Sequence, residues 1–304
     1  MIRPHSGPPP TSPAAALPGV RSAAPVLRLV PFAFAQAFGR APAGVWSAPY
    51  VLRLSGSPAG PGTVVALSWR VVIAAAPRAD GMLRVGSIDR PDEGAEFGPA
   101  GDVGPVPDWI RPVLAGTTGA GGLDLLVHTD LPDSTGLSAS VPLSCTAALI
   151  EAAFHDRAAG TGRRARLTDP PLGTVALFGR PGHVLVIEDA AGEPAHVPFD
   201  PDRLGLRFVL AVPRWADGDA ASVDTAEHPA ADPLARTSPP ARNALAAGAI
   251  EARPLGAGGS TIAVVPGAAL ADVRRALVDT YTRAGEPAPR VLSASVGSAC
   301  TRVA

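Results

Sequence analysis

The residues best suited to chemistry form a loop of small and acidic side chains at positions 130–140 (DLPDSTGLSAS), directly before an apolar stretch. Free backbone N–H groups in such a loop, together with the positive end of the following helix dipole, can hold an anion, and phosphate is the natural occupant. A plain helix cap built on Ser138 or Ser140 explains the same residues without a ligand. The loop is not a Walker A motif, because the chain has no Gly-Lys-Ser/Thr sequence, and no GxGxxG fingerprint with a following acid occurs.

Four segments, taken in order, resemble the signatures of GHMP kinases, the family of galactokinase, homoserine kinase and mevalonate kinase. DLPDSTGLSAS is similar to the second signature, and AFAQAFGRAPAGVWSAPYVLRLSG is similar to the entry of galactokinases and their first signature. TVALFGRPGHVLVIED followed by HVPFDP resembles the segment after the catalytic acid, and GAGGSTIAVVP resembles the third, Gly-rich signature. The likeness covers most of the chain from about Val26. The matching segments follow one another in the same order as in the family, which chance convergence does not explain well.

This resemblance implies a mixed α/β (α+β) protein with the two-lobed GHMP kinase fold. The N-terminal lobe, expected over residues 26–165, is then of the ribosomal-protein-S5-domain-2-like type. A reduced, ferredoxin-like C-terminal lobe is expected over residues 166–304, after a disordered tail at 1–25. ATP with Mg²⁺ in the cleft between the lobes, and galactose beside the γ-phosphate, are what the family implies.

The side chains that this chemistry needs are mostly replaced. The family's arginine, which stabilises the transferred charge, falls on Val51, and valine cannot replace a guanidinium. The catalytic aspartate falls on Leu172 and its neighbouring glutamine on Gly173, so no base remains there. The glutamate that helps to hold magnesium falls on Ser144. The Glu-His-Thr-Asp that reads the sugar hydroxyls falls on residues 57–60 (SPAG).

What survives is the backbone-rich part of the site. No catalytic residue is assigned, since the family positions hold Val51 and Leu172, and Ser140 alone remains as a candidate magnesium ligand. The candidate nucleotide- or phosphate-binding residues come from the second and third signatures: Thr135, Gly136, Leu137, Ser138, Ala139, Ser140, Gly256, Gly258 and Gly259.

The charge balance, the cysteines and the lengths of the apolar runs argue against several classes of binding partner. The 26 basic residues are balanced by 27 acids for a formal net charge of −1, which argues against a nucleic-acid surface. The two cysteines, Cys145 and Cys300, form no metal or disulfide pattern, and no apolar run is long enough for a signal peptide or a membrane span. We expect a cytoplasmic protein that binds a small molecule, a nucleotide or a sugar, without nucleic acid or membrane.

Hydrophobic periodicity predicts the elements that position these residues. An amphipathic helix is expected within 26–42, with Pro31 in its first turn and Gly39 as its stop. A β-meander, a strand at 121–129 and a helix at 141–153 follow. A new sheet is expected to begin after position 166, with TVALFG as a helix or a strand and HVLVIED and AHVPF as strands. LRFVLAVP and STIAVVP read as strands, 241–247 and 268–284 as helices, and the region near Val291 as a last strand.

Three functional hypotheses remain open. The first is a non-catalytic GHMP-fold protein that keeps nucleotide or anion binding at the Gly/Ser loop. The second is an active sugar or small-alcohol kinase with a rebuilt site, for which Arg53, Asp130, Asp133 and Asp169 are the nearest charged candidates. The third is a regulatory ligand sensor that acts through a protein partner. His128 and Asp130 are interpreted as structural residues at a strand end.

Overall fold

The computed structural model of the protein describes residues 25–56, 61–98, 106–117, 121–154, 170–188, 194–214, 238–256 and 259–304. The α-helices in these ranges are α1 (Pro25–Phe38), α2 (Arg111–Gly116), α3 (Ser140–Phe154), α4 (Pro170–Phe178), α5 (Pro239–Ala246) and α6 (Leu270–Arg283). The strands are β1 (Gly44–Gly56), β2 (Gly62–Arg78), β3 (Leu83–Ser87), β4 (Ala95–Phe97), β5 (Gly122–Thr129), β6 (His183–Ile187), β7 (Ala195–Pro198), β8 (Leu206–Val212), β9 (Glu251–Leu255), β10 (Ser260–Pro266), β11 (Arg290–Ala294) and β12 (Thr301–Arg302).

The larger sheet has the strand order β12-β1-β2-β5-β3-β4. β1 and β2 form a long antiparallel hairpin, and β5 pairs with the other edge of β2. The expected meander is therefore wrong at its third strand, because β3 lies outside β5 and runs parallel to it. β5 is buried at seven of its eight positions, so it suits the centre of the sheet, whereas β3 and β4 are short and form its rim.

The first two strands after position 166, β6 and β7, extend this same sheet, so the prediction that they begin a new one is wrong. β6 pairs with Gly62–Val64 at the start of β2, and β7 pairs with β6. This is possible because β2 is 17 residues long while β5 pairs only with its last part, from Val71 onwards, which leaves an open edge at the start. The lobe boundary predicted at 166 itself lies outside the described residues, and the division into lobes stays a prediction.

The second sheet has four strands in the order β11-β8-β10-β9, all antiparallel. One face is covered by α5 and α6 through a cluster that includes Val209, Val265 and Leu277. The other face, with Phe208, Leu210 and Ile262, joins the main core beneath the larger sheet. The predicted strands LRFVLAVP and STIAVVP and the predicted helices near 241 and 268 are confirmed.

Two local features differ from the sequence expectations. Pro31 is the seventh residue of α1, well past the first turn, while the predicted stop is confirmed, because Gly39 adopts φ +69° and its N–H bonds the Ala35 carbonyl at 3.0 Å. The short strand β12 was not predicted, and it pairs with β1 at Trp46 and Ser47. No helix within the described ranges is long and apolar enough to cross a bilayer.

Candidate functional site

The loop between β5 and α3 has a defined shape that its sequence dictates. A 3-10 turn at Asp133–Thr135 ends on Gly136, whose φ of +71° is a left-handed conformation that glycine adopts without strain. The Thr135 hydroxyl accepts a hydrogen bond from the Leu137 N–H at 3.3 Å, and the Ser138 hydroxyl accepts one from the Ser140 N–H at 3.1 Å. Small hydroxyl side chains thus turn the chain into α3.

Backbone N–H groups are left open at the start of α3. The amides of Ser138, Ala139 and Val141 have no hydrogen-bond partner in the part of the chain that the structure describes. Pro142 carries no N–H, and the Leu143 N–H is taken by the Ala139 carbonyl at 3.0 Å. Three unpaired amides at the positive end of a 15-residue helix can hold an anion, although fewer groups point outward than an ideal first turn offers.

The Gly-rich turn between β9 and β10 contacts this loop directly. A Cβ on Gly136 would lie 2.6 Å from the Leu255 carbonyl oxygen, so only glycine permits this approach. The Ser260 hydroxyl donates to the Ser134 carbonyl at 3.0 Å, which ties the turn to the loop. Gly256 and Gly259 adopt φ of +55° and +71°, while Gly258 lies outside the described residues. The second and third signatures are therefore brought together.

Val51 and Leu172, the positions where the resemblance predicts ionic groups, belong to the same cluster. This cluster, which we call the apolar cluster, lies between the strands β1, β2 and β6, the helix α4 and the first two turns of α3. Its buried members are Val51, Val64, Ala66, Val141, Cys145, Val175, Ala176, Leu185 and Ile187, with Leu172 and Leu177 partly buried against them. Val51 is only 7% exposed. The surroundings of these two positions are hydrocarbon, and the cluster includes Val141 at the start of α3.

The first turns of α3 offer little to a metal ion. Ser144 is buried, and its hydroxyl donates to the Val141 carbonyl at 3.1 Å, so it is turned back into the helix. No acidic residue stands in the first turn of α3. Burial raises the pKa of the adjacent Cys145 thiol to about 12, which keeps it neutral. Within the described ranges no three His, Cys, Asp or Glu side chains converge to hold a metal. Among the described residues, the open amides fit the phosphate part of a nucleotide, but no set of side chains fits its magnesium.

Arg53 and Asp130 are the described candidates for a rebuilt site. Arg53 is 5% exposed and pairs with Val64 in the sheet, so it lies on the same face as Val51, two residues further along β1. Its Nη1 lies over Gly62, where a Cβ would approach it to 2.8 Å. Asp130 accepts a hydrogen bond from the Arg70 N–H at 2.7 Å. The side chain of Asp133, together with Asp169 and residues 57–60, lies outside the described residues.

His128 and Asp130 belong to a polar network at the base of the loop. His128 Nδ1 lies 3.0 Å from Asp89 Oδ1, and its Nε2 lies 3.8 Å from Asp130 Oδ1. The hydrogen bond to Asp89 raises the pKa of His128, whereas burial raises the pKa of Asp130. Both side chains are thus engaged with neighbouring residues of the larger sheet, and their structural role stays a prediction.

Arg70 is the residue of this network that sequence reasoning missed. Its guanidinium donates to the Ser47 carbonyl at 2.8 Å and to the carbonyls of Ser298 and Ala299 at 3.2 and 3.1 Å, and so attaches the C-terminal segment to β1 and β2. Burial lowers the pKa of Arg70. A lone arginine inside the apolar run TVVALSWRVVIAAAP was the available signal.

Comparisons with known proteins place the fold. No protein-family model and no curated protein matches the chain. The galactokinase of Lactococcus lactis, solved with galactose, superposes with a TM-score of 0.69 at 16% identity, covering 91% of this chain and 100% of that one. The mevalonate kinase of Methanococcus jannaschii gives a TM-score of 0.59 at 10% identity over 84% and 98% of the two chains. A homoserine kinase from Cytophaga hutchinsonii gives 0.54 at 12% identity over 85% and 96%. The chain therefore has the galactokinase-like fold of the GHMP kinases.

Proposed function

We propose that this protein is a GHMP-fold binding protein that has lost phosphoryl transfer and keeps an anion site at the loop before α3. The ligand class is a nucleotide or another phosphate-bearing small molecule. Its phosphate would lie on the open amides of Ser138, Ala139 and Val141, beside the Gly-rich turn that Ser260 ties to the loop.

The apolar cluster is the observation that carries this proposal. Phosphoryl transfer relies on positioned cations and dipoles at the transferring group, with little covalent help from the protein. At Val51 and Leu172 the chain offers hydrocarbon packed against the first turn of α3. Removal of a single stabilising donor costs about 100-fold or more in kcat, so the joint replacement of arginine, acid and metal ligand removes most of the electrostatic stabilisation.

Calorimetry with ATP, with and without Mg²⁺, tests the binding half of the proposal. We expect saturable binding that does not need Mg²⁺ and that weakens when Ala139→Pro removes one open N–H. Ser293→Ala serves as the control, because Ser293 lies on β11 of the second sheet, where its hydroxyl accepts an exposed hydrogen bond from Arg274. A protein that binds ATP only with Mg²⁺ would contradict the proposal.

A second candidate function, an active small-molecule kinase with a rebuilt site, is favoured by one observation. Arg53 places a buried guanidinium on the same sheet face as Val51. If Arg53 had taken over the lost arginine's role, Arg53→Gln would abolish a measurable transfer to galactose or another small alcohol. On our proposal there is no such transfer to abolish, and Arg53→Gln changes stability alone.

A further inference from the structure

Two histidines meet on the outer hairpin of the larger sheet. His183 begins β6, and His196 lies on β7, opposite Leu185 in the antiparallel register. Since residues 183 and 185 share a face of the strand, both imidazoles lie on the side of the sheet that packs against α4. Their ring centroids are 6.3 Å apart, with planes at 79°.

Hydrogen bonds to backbone carbonyls fix which nitrogen of each ring carries a proton. His183 Nδ1 lies 2.9 Å from the Pro181 carbonyl, and His196 Nε2 lies 2.9 Å from the Phe178 carbonyl. A carbonyl oxygen only accepts, so each of these nitrogens is the N–H donor. In the neutral ring the other nitrogen, Nε2 of His183 and Nδ1 of His196, then carries a lone pair, and neither has a partner within the described ranges.

This is the arrangement by which proteins prepare imidazole ligands. A metal-binding histidine almost always donates its second N–H to a carbonyl or carboxylate, which fixes the tautomer and the orientation of the ring. Two metal–nitrogen bonds of about 2.1 Å, each extended by the radius of the ring, correspond to a centroid separation of about 5–6 Å. The observed centroid separation of 6.3 Å is slightly longer than this range.

We propose that His183 and His196 form a binding site for a divalent transition metal of the imidazole-preferring class, such as Zn²⁺, Ni²⁺ or Cu²⁺. No third His, Cys, Asp or Glu of the described residues converges on the pair. The site is independent of the anion loop and of the proposed function. Its effect is to fasten the β6–β7 hairpin to the end of α4, through the carbonyls of Pro181 and Phe178 that hold the two rings.

The test is titration of the full-length chain with Zn²⁺ in competition with a chromophoric chelator, in parallel with its thermal unfolding. We expect one ion per chain with a dissociation constant in the micromolar range, and a rise in the unfolding temperature at saturating Zn²⁺. His183→Gln and His196→Gln should each weaken binding about tenfold or more. His128→Gln is the matched control and should leave binding unchanged, since His128 Nδ1 is engaged with Asp89.

Three outcomes overturn the proposal: no saturable binding below millimolar Zn²⁺, equal binding by both single variants and the parent chain, or loss of binding in the His128 variant alone. If the His196 variant unfolds because the Phe178 carbonyl loses its donor, the His183 variant still decides the question. Among the described residues its imidazole is hydrogen-bonded to the carbonyl of Pro181, in the turn just before β6, so its loss leaves α4 unaffected.

Discussion

The two halves of the candidate site differ in the chemical groups that they present. The loop half, with Gly136, Ser138 and the Gly-rich turn after Leu255, keeps its left-handed glycine, its hydroxyl caps and its contact between the two signatures. The cluster half, around Val51 and Leu172, is built from aliphatic side chains. The loop half therefore depends on backbone conformation and backbone N–H groups, whereas the cluster half depends on its side chains.

This difference shows which features a fold protects. A left-handed glycine that packs against a carbonyl stabilises the folded chain itself, so such a loop is kept whether or not a ligand binds. An arginine and a carboxylate beside a phosphate are costly to bury, so their replacement by packed hydrocarbon is neutral or stabilising for the fold. On our proposal, the chemistry of the site is lost more easily than its backbone shape.

The largest effect is expected from putting charge back into the apolar cluster. Val51→Arg should lower the free energy of unfolding by about 3 kcal/mol or more, because it buries an unpaired charge, whereas Val51→Leu should cost less than about 1.5 kcal/mol. Leu172→Asp combined with Val51→Arg should recover about 1 kcal/mol or more of the summed loss, since both positions contact one cluster. Denaturant unfolding of the four variants measures this coupling, and strict additivity would show that the two positions do not face each other.

The loop half should be broken next most strongly at Gly136. Gly136→Ala combines a left-handed φ of +71° with a Cβ placed 2.6 Å from the Leu255 carbonyl, and we expect a loss of about 2–3 kcal/mol. Gly205→Ala is the matched control, because its φ is +65° but nothing lies within 4 Å of the added Cβ. It should cost only about 1 kcal/mol in the same denaturant assay. Equal losses would mean that contact between the two signatures is not tight in solution.

A smaller effect is expected at the hydrogen bond that ties the Gly-rich turn to the loop. Ser260 is fully buried, and Ser260→Ala removes the donor to the Ser134 carbonyl. The expected cost is about 1 kcal/mol, accompanied by faster amide hydrogen exchange in the loop before α3. The exposed Ser293→Ala should change stability by less than about 0.5 kcal/mol. Unchanged amide exchange in the Ser260 variant would show that this hydrogen bond does not stabilise the loop before α3.

The smallest effect is a pH dependence at the base of the loop. The hydrogen bond to Asp89 raises the pKa of His128 above its ordinary value, so the folded chain holds this proton more tightly than the unfolded chain. The resulting stability is present in full below the unfolded-state pKa of about 6.5 and is lost as pH rises through the higher folded-state pKa. His128→Gln should flatten the decline of the unfolding free energy across this window. A decline of the same size in the variant would assign it to another group.

The fold could be predicted from sequence where local pattern and long-range packing agree. The runs that became β5, β8 and β10 are apolar enough to read as strands, and Gly39 reads as the end of α1. Strand order could not be predicted at β3, since its parallel pairing with β5 depends on which strand takes the central place. The same holds for β6, because it joins the sheet only at the part of β2 that extends past β5.

From the sequence we could name candidate positions of the site, but we could not predict which side chains surround them. Alignment to the family identified Val51 and Leu172, but only coordinates show that Val141 and Cys145 of α3 complete a common apolar cluster around them. The partners of Arg70 could not be predicted, since positions 298 and 299 are more than two hundred residues away in sequence.

Quenched-flow transfer of labelled γ-phosphate from ATP and Mg²⁺ to galactose, with the enzyme in excess, tests the central claim most directly. We expect ATP to bind while the label stays on the nucleotide at the rate of the protein-free control, in the parent chain and in Ser140→Ala alike. Transfer to the sugar that exceeds this rate in the parent chain and disappears in Ser140→Ala would contradict the account, because the apolar cluster would then surround a working phosphotransferase.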